Sequence, residues 1–384
     1  MSGAAARAHV KARGRPDLPG APFFAMLRPA RAPREADLVG TNRDRRHRTA
    51  MDIAIVGAGA IGGFLAARLA RSGVAVTVVA RGANLAAIGA RGLRLIEEDG
   101  AEFVADGVRA APIDAAGPHD YVILAMKSHQ VGAVAADIGR LCHDRTAIVT
   151  MQNGVPWWYF HRFGGAREGT RLESVDPGGL LWERLRPERA IGSVVYPAAE
   201  LVEPGVVRVI EGNRFTLGEP SGEKSERVLA LARALIGAGF KAPVSTDLRN
   251  EIWVKLWGNA TFNPVSALTH ATLEDICRFA PTRALVARMM AEVQSVGEAI
   301  GVQFKVGLEQ RIAGAEKVGA HKTSMLQDVE HGRAIELDAL VGSVVELAEL
   351  AGTPAPTVRA VHALAALLAG TLARERGRLR IEPA

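Results

Sequence analysis

The chain has 384 residues, 48% of them hydrophobic and 23% charged, with a formal net charge of +6. That length suggests about two or three domains with a substantial core, and no apolar run reaches the roughly 18 residues of a membrane span. Two cysteines, Cys142 and Cys277, form no C-x-x-C, and the histidines show no ligand spacing. A disulfide scaffold, a zinc site and any metal are therefore not expected, and a reducing, cytoplasmic setting is.

The positive charge is local. Residues 1–50 hold eleven Lys/Arg against four Asp/Glu, and the remaining chain holds 36 against 37. The basic balance therefore does not point to nucleic-acid binding by the folded part. Residues 1–50, rich in Arg, Ala and Pro, read as a disordered leader upstream of a protein beginning at Met51. Its Arg content leaves a transit peptide as the alternative.

The first element is a short apolar run, Ile53-Ala54-Ile55-Val56, which feeds Gly57-Ala58-Gly59-Ala60-Ile61-Gly62 and then an amphipathic stretch from Phe64 to Ser72. This is a G-x-G-x-x-G turn in a strand–turn–helix setting. Gly57 permits the tight turn, Gly59 the approach of a pyrophosphate, and Gly62 close packing of helix on strand. A second strand, Ala75–Val79, ends at Ala80-Arg81 with no carboxylate before Glu97. Asp or Glu there would bind a ribose 2′-hydroxyl, whereas Arg suits a 2′-phosphate. Arg81 thus selects NADP(H), unless it is merely a solvated arginine at a strand end.

Further strands are expected at Tyr121–Ala125, Ala147–Thr150, Ile191–Tyr196, Val206–Ile210 and Phe215–Leu217. They imply a mostly parallel, doubly wound α/β sheet of Rossmann type over residues 51–222. Lys127 and Asn153 follow two of these strands, where ligands lie in such sheets, although Asn-Gly is also an ordinary turn pair. Residues 163–187 read as an irregular excursion near the ligand-binding edge. The aromatic cluster Trp157–Phe160 reads as core packing, with a reshaped pocket as the alternative.

From 223 to 384 the pattern turns all-α, with helices at 224–239, 247–263, 281–301, 325–351 and 355–373. The helix 247–263 is apolar almost all round yet carries Lys255, Asn259 and Asn263 at i, i+4 and i+8. Such a stripe is the wall of a ligand site or is satisfied by neighbouring helices. Pro264 should end or kink this helix.

These residues resemble the ketopantoate reductase (2-dehydropantoate 2-reductase) family over nearly all of Met51 to about Leu372. The matching pieces are GAGAIG at 57–62, Ala80-Arg81, Met126-Lys127, Gln152-Asn153-Gly154, the block Lys255 to Pro264, and Thr323–Asp328 followed by Ile335–Asp338. The resemblance implies NADPH-dependent reduction of 2-dehydropantoate to pantoate, with Lys255 as general acid. Asn259, Asn263 and Ser324 fall on its substrate positions, Ser324 towards the carboxylate. Lys127 and Asn153 fall beside cofactor and substrate, and Glu336 on the nicotinamide side. The chain departs from the family at Thr272-Leu273-Glu274, where another Asn is often found. Two alternatives keep the fold: a reductase or dehydrogenase of another 2-keto or 2-hydroxy acid, and a non-catalytic NADP(H) sensor. The expected partner is a small 2-keto acid, with no nucleic acid and no membrane, and a homodimer stays open.

Overall fold

The computed structural model describes residues 51–375 and 377; the leader at 1–50 lies outside the described residues. The chain opens with β1 (Asp52–Val56), α1 (Ala60–Arg71), β2 (Ala75–Val79) and α2 (Gly82–Arg91). Residues 53–56 and 76–79 are buried throughout, as strands covered on both faces require. They pair in parallel, Ile53 opposite Val76 and Val56 opposite Val79.

The chain continues through β3 (Leu93–Ile96), β4 (Glu102–Ala105), β5 (Val108–Ala111), α3 (Ile113–Ala116), β6 (His119–Leu124), α4 (Ser128–Val131), α5 (Ala135–Ile138), β7 (Cys142–Thr150), α6 (Leu180–Leu185) and β8 (Ala190–Val195). It then adds β9 (Ala198–Glu203), β10 (Val206–Glu211) and β11 (Phe215–Gly218). Seven strands form one sheet in the order β11-β8-β7-β6-β1-β2-β5. Six run parallel, and the edge strand β11 is antiparallel to β8. Strand order reverses between β1 and β6, the switch point at which ligands bind in such sheets.

One expectation is corrected here. The strand at Val206–Ile210 does not join this sheet but a second one, β4-β3-β10-β9. The second sheet packs on α1, where a Cβ at Gly63 would lie 2.6 Å from Val207 Cγ2 and Arg71 stacks 4.3 Å from the Phe103 ring. Helix α1 is thus held between two sheets, which explains why Gly62 to Ala67 are all buried.

The 163–187 excursion is also relocated. Its later part lies on a face of the large sheet, where Leu181 and Leu185 share a core with Val122, Leu124 and Ile148. Leu172 of its earlier part packs in the helical core, and Ser174 N and Oγ donate to Glu346 (2.9 and 2.5 Å). Asp176 is buried and caps the following turn by accepting from Leu181 N (2.6 Å) and Trp182 N (2.9 Å). The aromatic cluster is core, as expected: Trp157, Trp158, Tyr159 and Phe160 are all buried.

The helices that follow are α7 (Glu226–Gly237), α8 (Leu248–Thr269), α9 (Leu273–Arg278), α10 (Ala280–Ala299), α11 (Leu308–Lys317), α12 (Ser324–Glu330), α13 (Ser343–Ala351) and α14 (Pro356–Arg374). Val228, Leu231 and Leu235 of α7 pack with Ile53 and Phe64 of the sheet layer. The helical core proper is built around α8, whose Trp253, Leu256, Trp257 and Ala260 are fully buried against α10, α12 and α14. Helix α14 is long and apolar enough, by length and composition, to cross a membrane. Here it packs Val358, Val361, Ala365 and Leu372 into this core and exposes Leu364 and Leu367.

Two helix expectations fail. α8 does not end at Asn263 but runs through Pro264 to Thr269. The proline removes one backbone bond, yet residues 260–267 are all buried, and their packing outweighs the local cost. The helix expected at 325–351 is broken. Gly332, at φ +63, lies just past the end of α12, and a π-turn at Asp338–Gly342 precedes α13. That turn exposes the Ala339 carbonyl, which accepts from Val155 N (3.0 Å) and from Ser343 Oγ (2.8 Å).

Candidate active site

The residues singled out in the sequence converge on the carboxyl edge of the parallel sheet. Gly57 follows β1, Arg81 follows β2, Lys127 follows β6 and Asn153 follows β7. The ammonium of Lys255, from α8, donates to the carbonyl of Val195, the last residue of β8.

The glycine loop behaves as the spacing requires. Gly57 has φ +113, and a Cβ there would sit 3.0 Å from the Ala125 carbonyl oxygen. A Cβ at Gly62 would sit 2.0 Å from Gly57 O, whereas one at Gly59 would meet nothing within 4 Å. Gly62 is therefore a packing glycine, and Gly59 leaves open space above the helix end. The first intrahelical bond is Gly63 N to Gly59 O (2.8 Å), which leaves the amides of Ala60, Ile61 and Gly62 without helical acceptors. No side chain caps this end, and no acidic residue lies in its first turn. Those features fit a pyrophosphate. Ala58 is fixed from outside the loop, since Asn84 donates to its carbonyl (3.1 Å) and accepts from Gly205 N (3.1 Å). Sequence reasoning missed Asn84, because its partners lie 26 and 121 residues away.

Arg81 is exposed at the start of α2, while Glu97 is taken up by Arg68 at 2.5 Å. No carboxylate therefore competes at the end of β2. Replacing Arg81 by Asp should lower the NADPH-over-NADH ratio of kcat/KM at least about tenfold, the worth of one charge-assisted contact. An unchanged ratio would place the phosphate elsewhere.

Lys127 and Glu336 stitch the sheet edge to the helical region. Lys127 pairs with Asp328 of α12 and donates to Ala334 O (3.0 Å), and Glu336 accepts from Ser128 N (3.0 Å). Lys127 is thus committed to protein partners. Gln152 donates to Leu124 O (2.7 Å) and Met126 O (3.0 Å), which braces the turn bearing Asn153. Ser324 is exposed on the first turn of α12. Thr272, where the family's extra Asn is absent, caps α9 together with Asp275.

Lys255 lies partly buried, with its ammonium 5.9 Å from the Tyr196 ring centroid. Burial lowers its pKa to about 8, against the opposing pull of the Glu336 carboxylate. Asn259 is half-buried and Asn263 buried on the same helix. Neither amide hydrogen-bonds another described side chain or carbonyl, so the stripe is not satisfied by neighbouring helices.

Sheet, glycine loop and partly buried lysine together define a nicotinamide-dependent oxidoreductase of Rossmann type. Two family models match: "Ketopantoate reductase PanE/ApbA" over residues 53–157 and "Ketopantoate reductase PanE/ApbA C terminal" over 247–369. The chain is 57% identical to a 2-dehydropantoate 2-reductase from Mesorhizobium japonicum, over 83% of its own length and 98% of that protein. A solved chain from Ralstonia solanacearum MolK2, assigned as a ketopantoate reductase, superposes with TM-score 0.80 at 42% identity, covering 84% of this chain and 99% of that one. A PanE/ApbA family ketopantoate reductase from Ralstonia eutropha JMP134 superposes with TM-score 0.72 at 27% identity, covering 84% and 100%. The chain belongs to the ketopantoate reductase family.

Proposed function

We propose that the protein reduces 2-dehydropantoate to pantoate with NADPH, and that Lys255 supplies the proton. The observation that carries this reading is Lys255 itself: a lysine with its pKa lowered to about 8, tethered to the end of β8 on the same helix stripe as Asn259 and Asn263. When bound, the nicotinamide supplies the hydride, and the chain's task is placement.

In this reading the amides of Ala60, Ile61 and Gly62 hold the pyrophosphate and Arg81 the 2′-phosphate. Negative charge that builds on the ketone oxygen meets the Lys255 ammonium, which stabilises it and gives up a proton at Nζ. Asn259 and Asn263 orient the substrate, and Ser324 and Asn153 approach it from the facing elements. Lys127 and Glu336 keep those elements together. We place the enzyme in the cytoplasm, supported by the two cysteines, which form no disulfide among the described residues.

The test is a panel of 2-keto acids with NADPH and NADH, ranked by kcat/KM. Ketopantoate with NADPH should lead. Another acid leading would move the substrate, and tight NADPH binding without turnover would favour a sensor.

The lowered lysine also sets a pH dependence. Reduction needs the protonated form, so kcat/KM should fall as pH rises through about 8, and oxidation of the hydroxy acid should rise through the same range. Glu336 holds that pKa up, so Glu336→Gln should move both limbs to lower pH. Limbs that stay in place would remove Glu336 from the electrostatics of the lysine.

A further inference from the structure

Beside the lysine stripe stands a second cation that the sequence did not single out. Arg311, on α11, lays its guanidinium against the backbone of Gly258, where a Cβ would come 2.7 Å from its terminal nitrogen and 3.5 Å from its central carbon. Gly258 lies three residues after Lys255 and one before Asn259. In an α-helix it is therefore about 60° round and about 4.5 Å along from the lysine. The guanidinium thus borders the Lys255–Asn259–Asn263 stripe. Its Nε is buried without a hydrogen-bond partner. Among the described residues no carboxylate pairs with it; burial of the guanidinium lowers its pKa, and Tyr196, which also faces Lys255, pulls the other way.

The residue is half-buried, and a guanidinium with one nitrogen shut off from water and no carboxylate partner is costly to keep. Its planar fork matches a carboxylate in two parallel hydrogen bonds. We propose that Arg311 binds the substrate carboxylate. The assignment rests on the 2-keto acid reading above. In such an acid the carbonyl and the carboxylate occupy adjacent carbons, so a carbonyl oxygen at Lys255 puts the carboxylate within reach of a cation about one helical turn away. Gly258 is the enabling residue, since any side chain there would fill the guanidinium's place. Ser324, the position suggested by family resemblance, can add only an uncharged contact to the same group.

The test compares a 2-keto acid with its methyl ester, using NADPH, for the wild-type chain, Arg311→Gln, Arg311→Lys and Ser324→Ala. Arg311→Gln should raise KM for the acid about 10–100-fold, the loss of a charge-assisted contact. It should leave KM for the ester and the Kd of NADPH nearly unchanged, so that preference for acid over ester collapses. Arg311→Lys should recover part of that preference, and Ser324→Ala should cost less than Arg311→Gln. Gly258→Ala keeps the charge but displaces the guanidinium and should raise KM for the acid in the same direction, which covers the case in which Arg311→Gln fails to fold. An acid-to-ester preference that survives both Arg311→Gln and Gly258→Ala would overturn the assignment while leaving the activity intact. If the wild-type chain reduces no 2-keto acid, the activity reading fails and Arg311 falls with it.

Discussion

Replacing Lys255 by Ala is expected to lower kcat by about 10²–10⁴, the usual contribution of a positioned general acid, while the Kd of NADPH stays close to the wild-type value. The glycine loop at 57–62 follows β1, whereas Lys255 is tethered to the end of β8, so the two readouts should separate. The lysine also ties α8 to β8 through the Val195 carbonyl. A purely structural lysine would therefore show itself as a lower Tm, with kcat, KM and Kd all affected together. Lys255→Arg sharpens the distinction. It keeps the charge and a donor for Val195 O, but arginine does not surrender its proton, so Tm should recover and kcat should not. A folded Lys255→Ala protein with near-normal kcat would end the assignment.

Gly154→Ala is expected to be the most damaging small substitution at the junction of sheet and helices. Gly154 has φ +92, and its Cβ would lie 2.0 Å from the Ala339 carbonyl oxygen and 2.5 Å from the carbonyl carbon. Both are backbone atoms of the π-turn and cannot rotate away. Left-handed strain of about 1–3 kcal/mol adds to an overpacking cost of about 1–3 kcal/mol and to the weakened Val155 N to Ala339 O bond. A fall in Tm of about 5–10 °C is expected. Because Asn153 rides on this turn, KM for the keto acid should rise as well. Gly100→Ala is the control: φ is +85 there, but a Cβ meets nothing within 4 Å. Only the conformational cost of about 1–2 kcal/mol should remain. Equal losses in the two variants would show that the Ala339 contact carries no weight.

The sheet was legible in the sequence where its signals are local. Ile53–Val56, the glycine turn and Val76–Val79 each declare themselves by composition over a few residues, and Lys255, Asn259 and Asn263 stand out because they interrupt an apolar helix. The second sheet was hidden because its first two strands, Leu93–Ile96 and Glu102–Ala105, are only four residues long and each is interrupted or opened by a charge, Arg94 and Glu102. The path of α8 through Pro264 was decided by burial on every side, which overrode a local rule. Lys127 was correctly placed at the sheet edge, but its commitment to Asp328 joins positions about 200 residues apart in the chain. Arg311 was missed for a related reason. On α11, which reads Leu-Glu-Gln-Arg-Ile-Ala-Gly-Ala-Glu-Lys, it looks like one more solvated charge, and only the bare backbone of Gly258 shows where its guanidinium rests.

The most direct test of the account is stoichiometric: the full chain with NADPH and ketopantoate, following NADPH loss and pantoate formation in the same reaction. One pantoate should form for each NADPH oxidised by the wild-type chain, and both signals should vanish together in the folded Lys255→Ala protein. NADPH that binds but is not consumed, or that is consumed without pantoate appearing, would contradict it.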